Sequence, residues 1–514
     1  MSSTPAPKAP PAPHLPGGAT WMGHPRGLMT LFFTEMWERF SYYGMRAFLL
    51  LYMTSAADVG GLGWGTAKAG PLYGLYTAMV YLMSLPGGWL ADKFIGLRNA
   101  VFAGGIIIMC GHISLAMHGM PFFYLGLFLI VIGTGLLKPN ISAMVGSLYS
   151  TEDNRRDAGF SIYYMGINLG AFAAPLITGF LSQSPVFRGW LTHWGLDPKN
   201  CWHWGFGAAA VGMFFGLLQY VLTGRHLGES GKRPAPPSDP AARTRERRSL
   251  LVGAAVAIGV VVMTLMTKAT LESIVGAMKW VLIVLPFVYF AMLFLQRGWT
   301  PVERRRLYAI PAFFIFATLF WSVFEQAGST LNLFADRHTN NTVLGLGFPS
   351  SWFQSVNSVF IILLAPVFAI LWGRLSRRGR EPGSPIKFAL GLLFAGLGFL
   401  IMVPASKLAG ADGRVSPLWL VSVYFIHTIG ELCLSPVGLS TMTKLAPARV
   451  TGQMLGVWFL ATSVGNFVGG SISGLFEKMP LPSLFGSVVG VTAVFTLIAF
   501  AIARPVKKLM GGVH

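Results

Sequence analysis

Charged residues are scarce in this chain. Only 11% of its 514 residues are Asp, Glu, Lys or Arg, whereas 53% are hydrophobic. In soluble proteins about a quarter of all residues are charged, so this composition excludes an array of soluble domains and indicates a polytopic membrane protein. Cysteine is also rare, since Cys110, Cys201 and Cys433 are far apart and odd in number. They suggest neither a disulfide framework nor a metal cluster, and we expect them to pack as small apolar side chains.

Enzyme and ATPase signatures are missing as well. The chain has no HExxH, no paired Asp residues within an apolar span and no Walker motif. An intramembrane enzyme is therefore disfavoured, and ATP is not expected as the energy source. The formal net charge of +20 would suggest nucleic acid as the partner of a soluble protein. Here the basic residues lie in short loops between apolar runs, as in cytoplasmic loops, so no nucleic-acid partner is expected.

The apolar runs predict an all-α fold that crosses the membrane many times. Segments of about 20 residues can span a bilayer. Fourteen segments qualify, with centres near Leu49, Tyr81, Ile107, Leu129, Leu169, Val211, Val256, Ile283, Phe316, Ile362, Phe394, Phe425, Phe459 and Phe495. Residues 1–20 are rich in Pro and Ala and lack the apolar core of a cleavable signal peptide. The uneven distribution of Lys and Arg over the loops predicts that both termini are cytoplasmic.

A basic, Pro-rich segment within residues 225–248 divides the chain into unequal parts. It follows the first six apolar segments and precedes two segments that we interpret as peripheral. The predicted organisation is a cytoplasmic tail (1–26), an N-terminal six-helix bundle (27–224), a cytoplasmic linker (225–248), two additional membrane helices (249–298), a C-terminal six-helix bundle (299–506) and a second cytoplasmic tail (507–514).

The two halves contain related motifs. Leu-Lys-Pro at 137–139 precedes Ser142, and Leu-Ser-Pro at 434–436 precedes Ser440. Similarly, Gly-Ile-Asn-Leu-Gly in the fifth span resembles Gly-Asn-Phe-Val-Gly in the eleventh span of the two bundles. Repeats of this kind are typical of transporters whose site lies between two bundles near the membrane midplane. Small residues at this spacing also allow close helix approach.

A short loop motif supports the same architecture. Residues 88–98 read GWLADKFIGLR, and residues 373–378 form a degenerate counterpart, GRLSRR. The first motif resembles the cytoplasmic loop motif of the major facilitator superfamily. The resemblance implies the fold of that superfamily, with six plus six helices and two inserted ones, 14 transmembrane helices in all.

Seven ionisable side chains fall within predicted membrane spans. They are Glu35, Glu38, Arg39, Arg46, Lys138, Glu325 and Glu431. A charge at the bilayer centre costs about 2.5 to 3.5 kcal/mol on insertion scales, so these groups must face a bundle interior or a water-filled cavity. Four acids and three bases leave one surplus carboxylate, which is a natural proton carrier. The alternative is that the charges form static pairs that only orient the helices.

The segment at 35–44 matches the ExxERFxYYG motif of the proton-dependent oligopeptide transporter (POT, or PTR2) family. Residues 160–172, FSIYYMGINLGAF, resemble the second signature of that family, and residues 133–140 resemble its GxGxxKPN pattern. Residues 324–329 and 430–436 are similar to its seventh and tenth transporter helices. The resemblance covers nearly the whole chain, and the two inserted helices suit bacterial members of the family.

The resemblance implies roles for individual residues. Glu35, Glu38 and Arg39 would couple proton movement to transport, together with Glu325. Arg46 and Lys138 would receive a peptide carboxylate, and Glu431 a peptide amino group. Two cross-bundle pairs are expected, Arg46 with Glu325 and Lys138 with Glu431. The remaining expected substrate-binding residues are the amides Asn168 and Asn357 and the aromatic residues Tyr42, Tyr43, Tyr81, Trp321, Trp458 and Phe459.

The function implied is a proton-coupled symporter that imports di- and tripeptides by alternating access. It would be no enzyme and would need no cofactor, since the proton is the coupling ion. Its expected partners are peptides, protons and membrane lipid, and one chain is expected to function as a monomer in the bacterial inner membrane. A proton-coupled transporter of nitrate or another small solute is the main alternative. A membrane receptor or scaffold also stays open at this point, as do peptide length and proton stoichiometry.

Overall fold

The computed structural model describes residues 20–150, 153–233, 239–410, 413–447 and 450–512. Most of the predicted tails and the centre of the predicted linker, residues 1–19, 234–238, 513 and 514, lie outside the described residues. The described chain is almost entirely helical. Its four short strands form two antiparallel hairpins. In the first, β1 (Thr20–Trp21) pairs with β2 (His24–Pro25), and in the second, β3 (Thr342–Val343) pairs with β4 (Leu346–Gly347).

In its described residues, the N-terminal bundle contains eight α-helices. They are α1 (Gly27–Thr54), α2 (Thr66–Leu82), α3 (Ser84–Leu90), α4 (Leu97–Ala116), α5 (Met120–Ser147), α6 (Arg156–Gln183), α7 (Pro185–His193) and α8 (Cys201–Thr223). Helix α1 is the centre of this bundle, because α6 and α8 pack along it and α2 and α5 also touch it. A π-helical turn at Ala91–Ile95 follows α3 within the predicted loop motif.

The inserted helices and the C-terminal bundle follow. They are α9 (Pro240–Met266), α10 (Leu271–Leu295), α11 (Pro301–Phe324), α12 (Thr330–Arg337), α13 (Gln354–Arg377), α14 (Ser384–Ala409), α15 (Leu418–Leu445), α16 (Thr451–Ser473) and α17 (Leu481–Leu509). Helix α9 begins inside the range predicted as linker. Only Leu282, Pro286 and Leu293 of α10 are buried, so this inserted helix is peripheral, as its sequence predicts.

All fourteen predicted span centres lie in long helices. Within the described residues, eleven helices are long and apolar enough to cross a membrane. Helices α1, α2 and α9 are not among the eleven. Helix α1 carries four ionisable residues, and α2 has only 17 residues before its break at Met83. The count of fourteen transmembrane helices therefore stays a prediction.

The motifs shared by the two halves occupy equivalent positions. Gly166 and Gly170 let α6 approach α1, because a Cβ on Gly170 would overlap the carbonyl oxygen of Met36. Gly465 and Gly469 let α16 approach α11 in the same way, since a Cβ on Gly469 would lie 2.7 Å from a main-chain oxygen of α11. Each half thus pairs its fifth membrane helix with its first through a small-xxx-small face.

Among the described residues, two helix pairs form extensive contacts between the bundles. Helix α6 packs on α13, and α2 packs on α16. At the second contact a Cβ on Gly70 would lie 2.6 Å from the main-chain nitrogen of Gly474, and a Cβ on Gly470 would overlap the Cα atom of Gly74. We call these four glycines the α2–α16 seam. At this seam the backbones of α2 and α16 are in direct contact, which fixes the position of one bundle against the other.

Candidate functional site

The ExxER segment of α1 forms a buried charge cluster. Glu35, Glu38 and Arg39 are each at most 2% exposed, because α1 is surrounded by the other helices of its bundle. The Arg39 Nε atom lies 3.2 Å from Glu35 Oε1 and also donates to Glu38 Oε2. Within the described residues, Glu35 Oε2, Glu38 Oε1 and Arg39 Nη2 have no hydrogen-bond partner. Two carboxylates thus share one cation, and neutralising one of them with a proton would leave a balanced pair.

An ion pair links the two bundles about two turns further along α1. Arg46 of α1 donates from Nη2 to Glu325 Oε2, and both side chains are only 7% exposed. Glu325 lies in the 3₁₀ turn between α11 and α12, and its main-chain oxygen is 3.4 Å from the same Arg46 nitrogen. This is the predicted Arg46–Glu325 pair, and the structure confirms the contact.

Tyr73 completes this pair, and sequence reasoning missed it. Its hydroxyl oxygen accepts a hydrogen bond of 2.8 Å from Arg46 Nε. The neighbouring Gly328 has to be glycine, since a Cβ there would overlap the Tyr73 hydroxyl and lie 3.0 Å from Arg46 Nε. The available signal was the position of Tyr73 on α2, about two helical turns before Tyr81.

Lys138 does not form its predicted pair with Glu431. No ion pair between them exists in the described part of the chain. Instead, the Lys138 ammonium lies 3.7 Å from the centroid of the Tyr81 ring, a cation–π contact within its own bundle. The prediction is wrong for this conformation, in which Lys138 contacts Tyr81 and Glu431 accepts a hydrogen bond from Asn357.

Glu431 is held within the C-terminal bundle. Asn357 of α13 donates from Nδ2 to Glu431 Oε2 at 3.1 Å and to Thr428 Oγ1 at 3.0 Å. Glu431, Asn357 and Lys138 are all partly exposed, unlike the buried ExxER cluster. One cation and one carboxylate, each on a different bundle, are therefore accessible without being neutralised by each other.

Aromatic side chains surround this region. Trp321 and Trp458 lie nearly perpendicular, with ring centroids 6.4 Å apart. Tyr81 of α2 faces Phe459 of α16 at 6.3 Å, so these two rings come from different bundles. Tyr43 lies 5.9 Å from the Arg46 guanidinium and is partly exposed. These five side chains give the site an adaptable apolar surface.

Two predicted substrate-binding residues, Tyr42 and Asn168, are buried within the N-terminal bundle. Tyr42 is only 1% exposed and packs with its ring 5.1 Å from the Arg39 guanidinium, so it supports the charge cluster. Asn168 is 6% exposed and donates to the main-chain oxygen of Tyr164 on its own helix, at 2.9 Å. The roles assigned to the individual residues by resemblance stay predictions.

Hydrogen bonds join the bundles at one end of the molecule. We name this the distal end, where α1 ends and α2 begins. Between the level of Arg46 and this end, Asn332 Nδ2 donates to the Ala47 oxygen at 2.7 Å, and the Ser351 main-chain nitrogen donates to Gln183 Oε1 at 3.1 Å. Other hydrogen bonds between bundles lie further from the distal end, such as Ser355 Oγ to the Phe172 oxygen at 2.7 Å. The pathway is thus closed at the distal end by contacts between the bundles.

The arrangement suits a zwitterionic molecule with a variable apolar part. A cation and a carboxylate stand on opposite sides of an aromatic region, and a neighbouring buried cluster can exchange a proton. Within the described residues, no group of three His, Cys, Asp or Glu side chains is placed to hold a metal ion.

Comparisons with known proteins agree on one family. The model of the POT family, PTR2, matches residues 98–488. The uncharacterized transporter YclF of Bacillus subtilis is 44% identical over 499 residues, with 96% of both chains covered. The di-/tripeptide transporter of Lactococcus lactis subsp. cremoris is 40% identical over 506 residues, which covers 96% of this chain and 98% of the relative. A crystal structure of a POT peptide transporter in complex with sulfate is 43% identical and superimposes with a TM-score of 0.87, covering 96% and 97% of the two chains. The chain therefore belongs to the POT family and is a multi-pass membrane protein.

Proposed function

We propose that this protein is a proton-coupled symporter that imports di- and tripeptides by alternating access. The observation that carries the proposal is the pair of accessible opposite charges, Lys138 and Glu431, on facing bundles around an aromatic surface. A peptide of two or three residues carries a carboxylate and an ammonium group at its ends and unpredictable side chains between them. It needs this combination of charges and adaptable apolar wall. The relative in Lactococcus lactis, named a di-/tripeptide transporter, supports this class of substrate.

In this proposal the peptide spans the gap between the bundles. Its carboxylate binds Lys138 and approaches Arg46, while its ammonium group binds Glu431 beside Asn357. The aromatic residues Trp321 and Trp458 contact its side chains. Binding of both peptide ends draws the two bundles together, because each bundle holds one of the two charges.

Proton coupling is assigned to the three carboxylates that lie against arginines, Glu325 beside Arg46 and the pair Glu35 and Glu38 beside Arg39. Protonation of Glu325 would release Arg46 and weaken the link between the bundles, and a peptide carboxylate would compete for the same arginine. Protonation within the Glu35–Glu38–Arg39 cluster would remove its excess negative charge. A two-state protein responds to such ligands in proportion to their different affinities for the two states.

The membrane arrangement belongs to the same proposal. The distal end faces away from the cytoplasm if both termini are cytoplasmic, as the distribution of Lys and Arg indicates. The protein then lies in the bacterial inner membrane, with its outer end closed in the present conformation. Because one chain contains the whole pathway, we propose that it works as a monomer, without a cofactor.

The test is uptake of labelled dialanine into proteoliposomes, with and without an inward proton gradient. Unlabelled di- and tripeptides and nitrate serve as competitors. Accumulation that requires the gradient and is blocked by peptides, but not by nitrate, is the expected result. Absence of peptide uptake by folded protein, or competition by nitrate alone, would overturn the proposal. The variant Glu229→Gln, at an exposed surface pair with Lys232, provides a matched control for the loss of a carboxylate.

A further inference from the structure

Helix α2 begins at the distal end without a cap from its own sequence. Its N-cap residue, Gly65, has no side chain, and its first turn contains no acidic residue. The first turn does contain Lys68, whose charge is unfavourable at a helix N-terminus. The first amide groups of a helix have no acceptor within the helix, so they need one from elsewhere.

The acceptor comes from the opposite bundle. Glu477 lies in the turn between α16 and α17, and its Oε2 atom accepts a hydrogen bond of 2.9 Å from the Thr66 main-chain nitrogen. Its other oxygen, Oε1, lies 2.7 Å from Arg337 Nη1 at the end of α12. One carboxylate thus joins a helix N-terminus of the N-terminal bundle to an arginine of the C-terminal bundle.

We propose that Glu477 caps α2 across the bundle interface and thereby latches the distal end of the pathway closed. It lies just beyond the α2–α16 seam, so separation of these two helices would remove the acceptor from Thr66. The latch lies at the N-terminal end of α2, about two helical turns before Tyr73, and it does not contact the substrate region. Glu477 is a positioning residue, since it acts on the equilibrium between the closed and open distal end. The inference rests on the alternating access of the proposed function.

The electrostatics of the site favour an ionised Glu477. Partial burial opposes ionisation, but the hydrogen bonds from Arg337 and from the Thr66 amide outweigh it and lower the pKa of this carboxyl. The side chain is 40% exposed, so water replaces part of the interaction when the end opens. A hydrogen bond to a charged group contributes about tenfold to an equilibrium at the lower end of its usual range, and exposure reduces this to about three- to tenfold.

Opening can be measured with a cysteine reporter at another contact of the distal end. Ser351 is buried in the 3₁₀ turn that precedes α13, and its main-chain nitrogen donates to Gln183 Oε1 near the end of α6. The near-isosteric change Ser351→Cys is introduced together with Cys110→Ala, which removes the exposed native cysteine. Protein in lipid nanodiscs is treated with a membrane-impermeant maleimide, without peptide or proton gradient. The reaction rate follows the population in which α13 separates from α6.

Thr66→Pro removes the amide hydrogen that Glu477 accepts. Proline is well tolerated at the first position of a helix, and the extended conformation of Gly65, with ψ of 153°, suits a residue before proline. Thr66→Val keeps the amide hydrogen and serves as its matched control. Glu477→Ala removes the carboxylate, and Lys478→Ala controls for truncation of an exposed neighbour.

We expect the maleimide to react about three- to tenfold faster in Thr66→Pro and Glu477→Ala than in the parent, and at the parent rate in both controls. Unchanged rates in Thr66→Pro and Glu477→Ala would overturn the latch. Equal acceleration by proline and valine would also overturn it, because the amide would then not be the group that matters. The rates are measured without substrate, so a failure of peptide uptake would refute the proposed substrate and leave this result standing.

Discussion

Glu325→Gln tests the link between the charged site and proton-driven transport. The side chain keeps its size in this variant, but it loses its negative charge and its ability to take up a proton. In the structure its carboxylate pairs with Arg46, which also donates to the Tyr73 hydroxyl. The change therefore leaves the buried Arg46 without its counter-ion, while the shape of the pathway is retained.

The magnitude follows from the burial of the pair. Removal of one partner of a buried ion pair costs about 3 to 5 kcal/mol. Tyr73 and the main-chain oxygen of residue 325 still accept hydrogen bonds from Arg46. The glutamine amide oxygen can do so as well, so we expect the lower value of about 3 kcal/mol. This corresponds to a loss of more than about 100-fold in the preference for the closed distal end.

Two uptake assays in proteoliposomes separate binding from coupling. Gradient-driven accumulation of labelled dialanine should fall to the level without a gradient, because the proton-accepting carboxyl group is gone. Exchange of labelled for unlabelled dialanine at equal pH should persist, since the peptide contacts of Lys138 and Glu431 are unchanged. Glu229→Gln should behave as the wild type in both assays. Concentrative uptake by Glu325→Gln at the wild-type level would refute the reasoning.

Three further predictions concern single contacts. Lys138→Ala should reduce uptake of dialanine by at least about tenfold, because the carboxylate loses its cation; competition by dialanine and by its C-terminal amide should then become nearly equal, and an unchanged preference for the free acid would remove the assigned role. Tyr73→Phe should lower gradient-driven uptake less than Glu325→Gln does, since one hydrogen bond to Arg46 contributes about 1 to 2 kcal/mol; uptake as poor as in Glu325→Gln would contradict this order. Gly470→Ala should lower the melting temperature in detergent by several degrees, because its Cβ would overlap the α2 backbone and overpacking costs about 1 to 3 kcal/mol. Gly486→Ala, where a Cβ meets nothing within 4 Å, should melt like the wild type, and equal melting of both variants would argue against the tight seam.

Local pattern was sufficient for much of the fold. A hydrophobic run long enough to cross a bilayer must form a helix there, since its backbone has no other way to satisfy its hydrogen bonds. The fourteen predicted centres accordingly lie in helices. The motifs at 166–170 and 465–469 were recognisable for the same reason, because small residues one turn apart produce a flat helix face wherever the helix packs.

Charge scarcity also identified part of the site. An isolated ion is so unfavourable in a membrane interior that Arg46 needed a partner, and few candidates existed. The identity of that partner, Glu325, was predicted from the family resemblance. Lys138 and Glu431 satisfied the same requirement, yet they do not pair here, because each is accommodated within its own bundle, Lys138 against Tyr81 and Glu431 against Asn357.

The sequence by itself determined the membrane class, the helix positions, the relation between the halves and the small set of charges that must face inward. Each of these follows from the cost of placing polar groups in lipid, which acts on every segment separately. Only the tertiary structure decided which end of the pathway is closed, that Tyr73 joins Arg46, and that Glu477 caps α2 from the other bundle. These contacts join residues far apart in the chain, and they depend on how two bundles dock, a choice between conformations that one sequence must be able to adopt in turn.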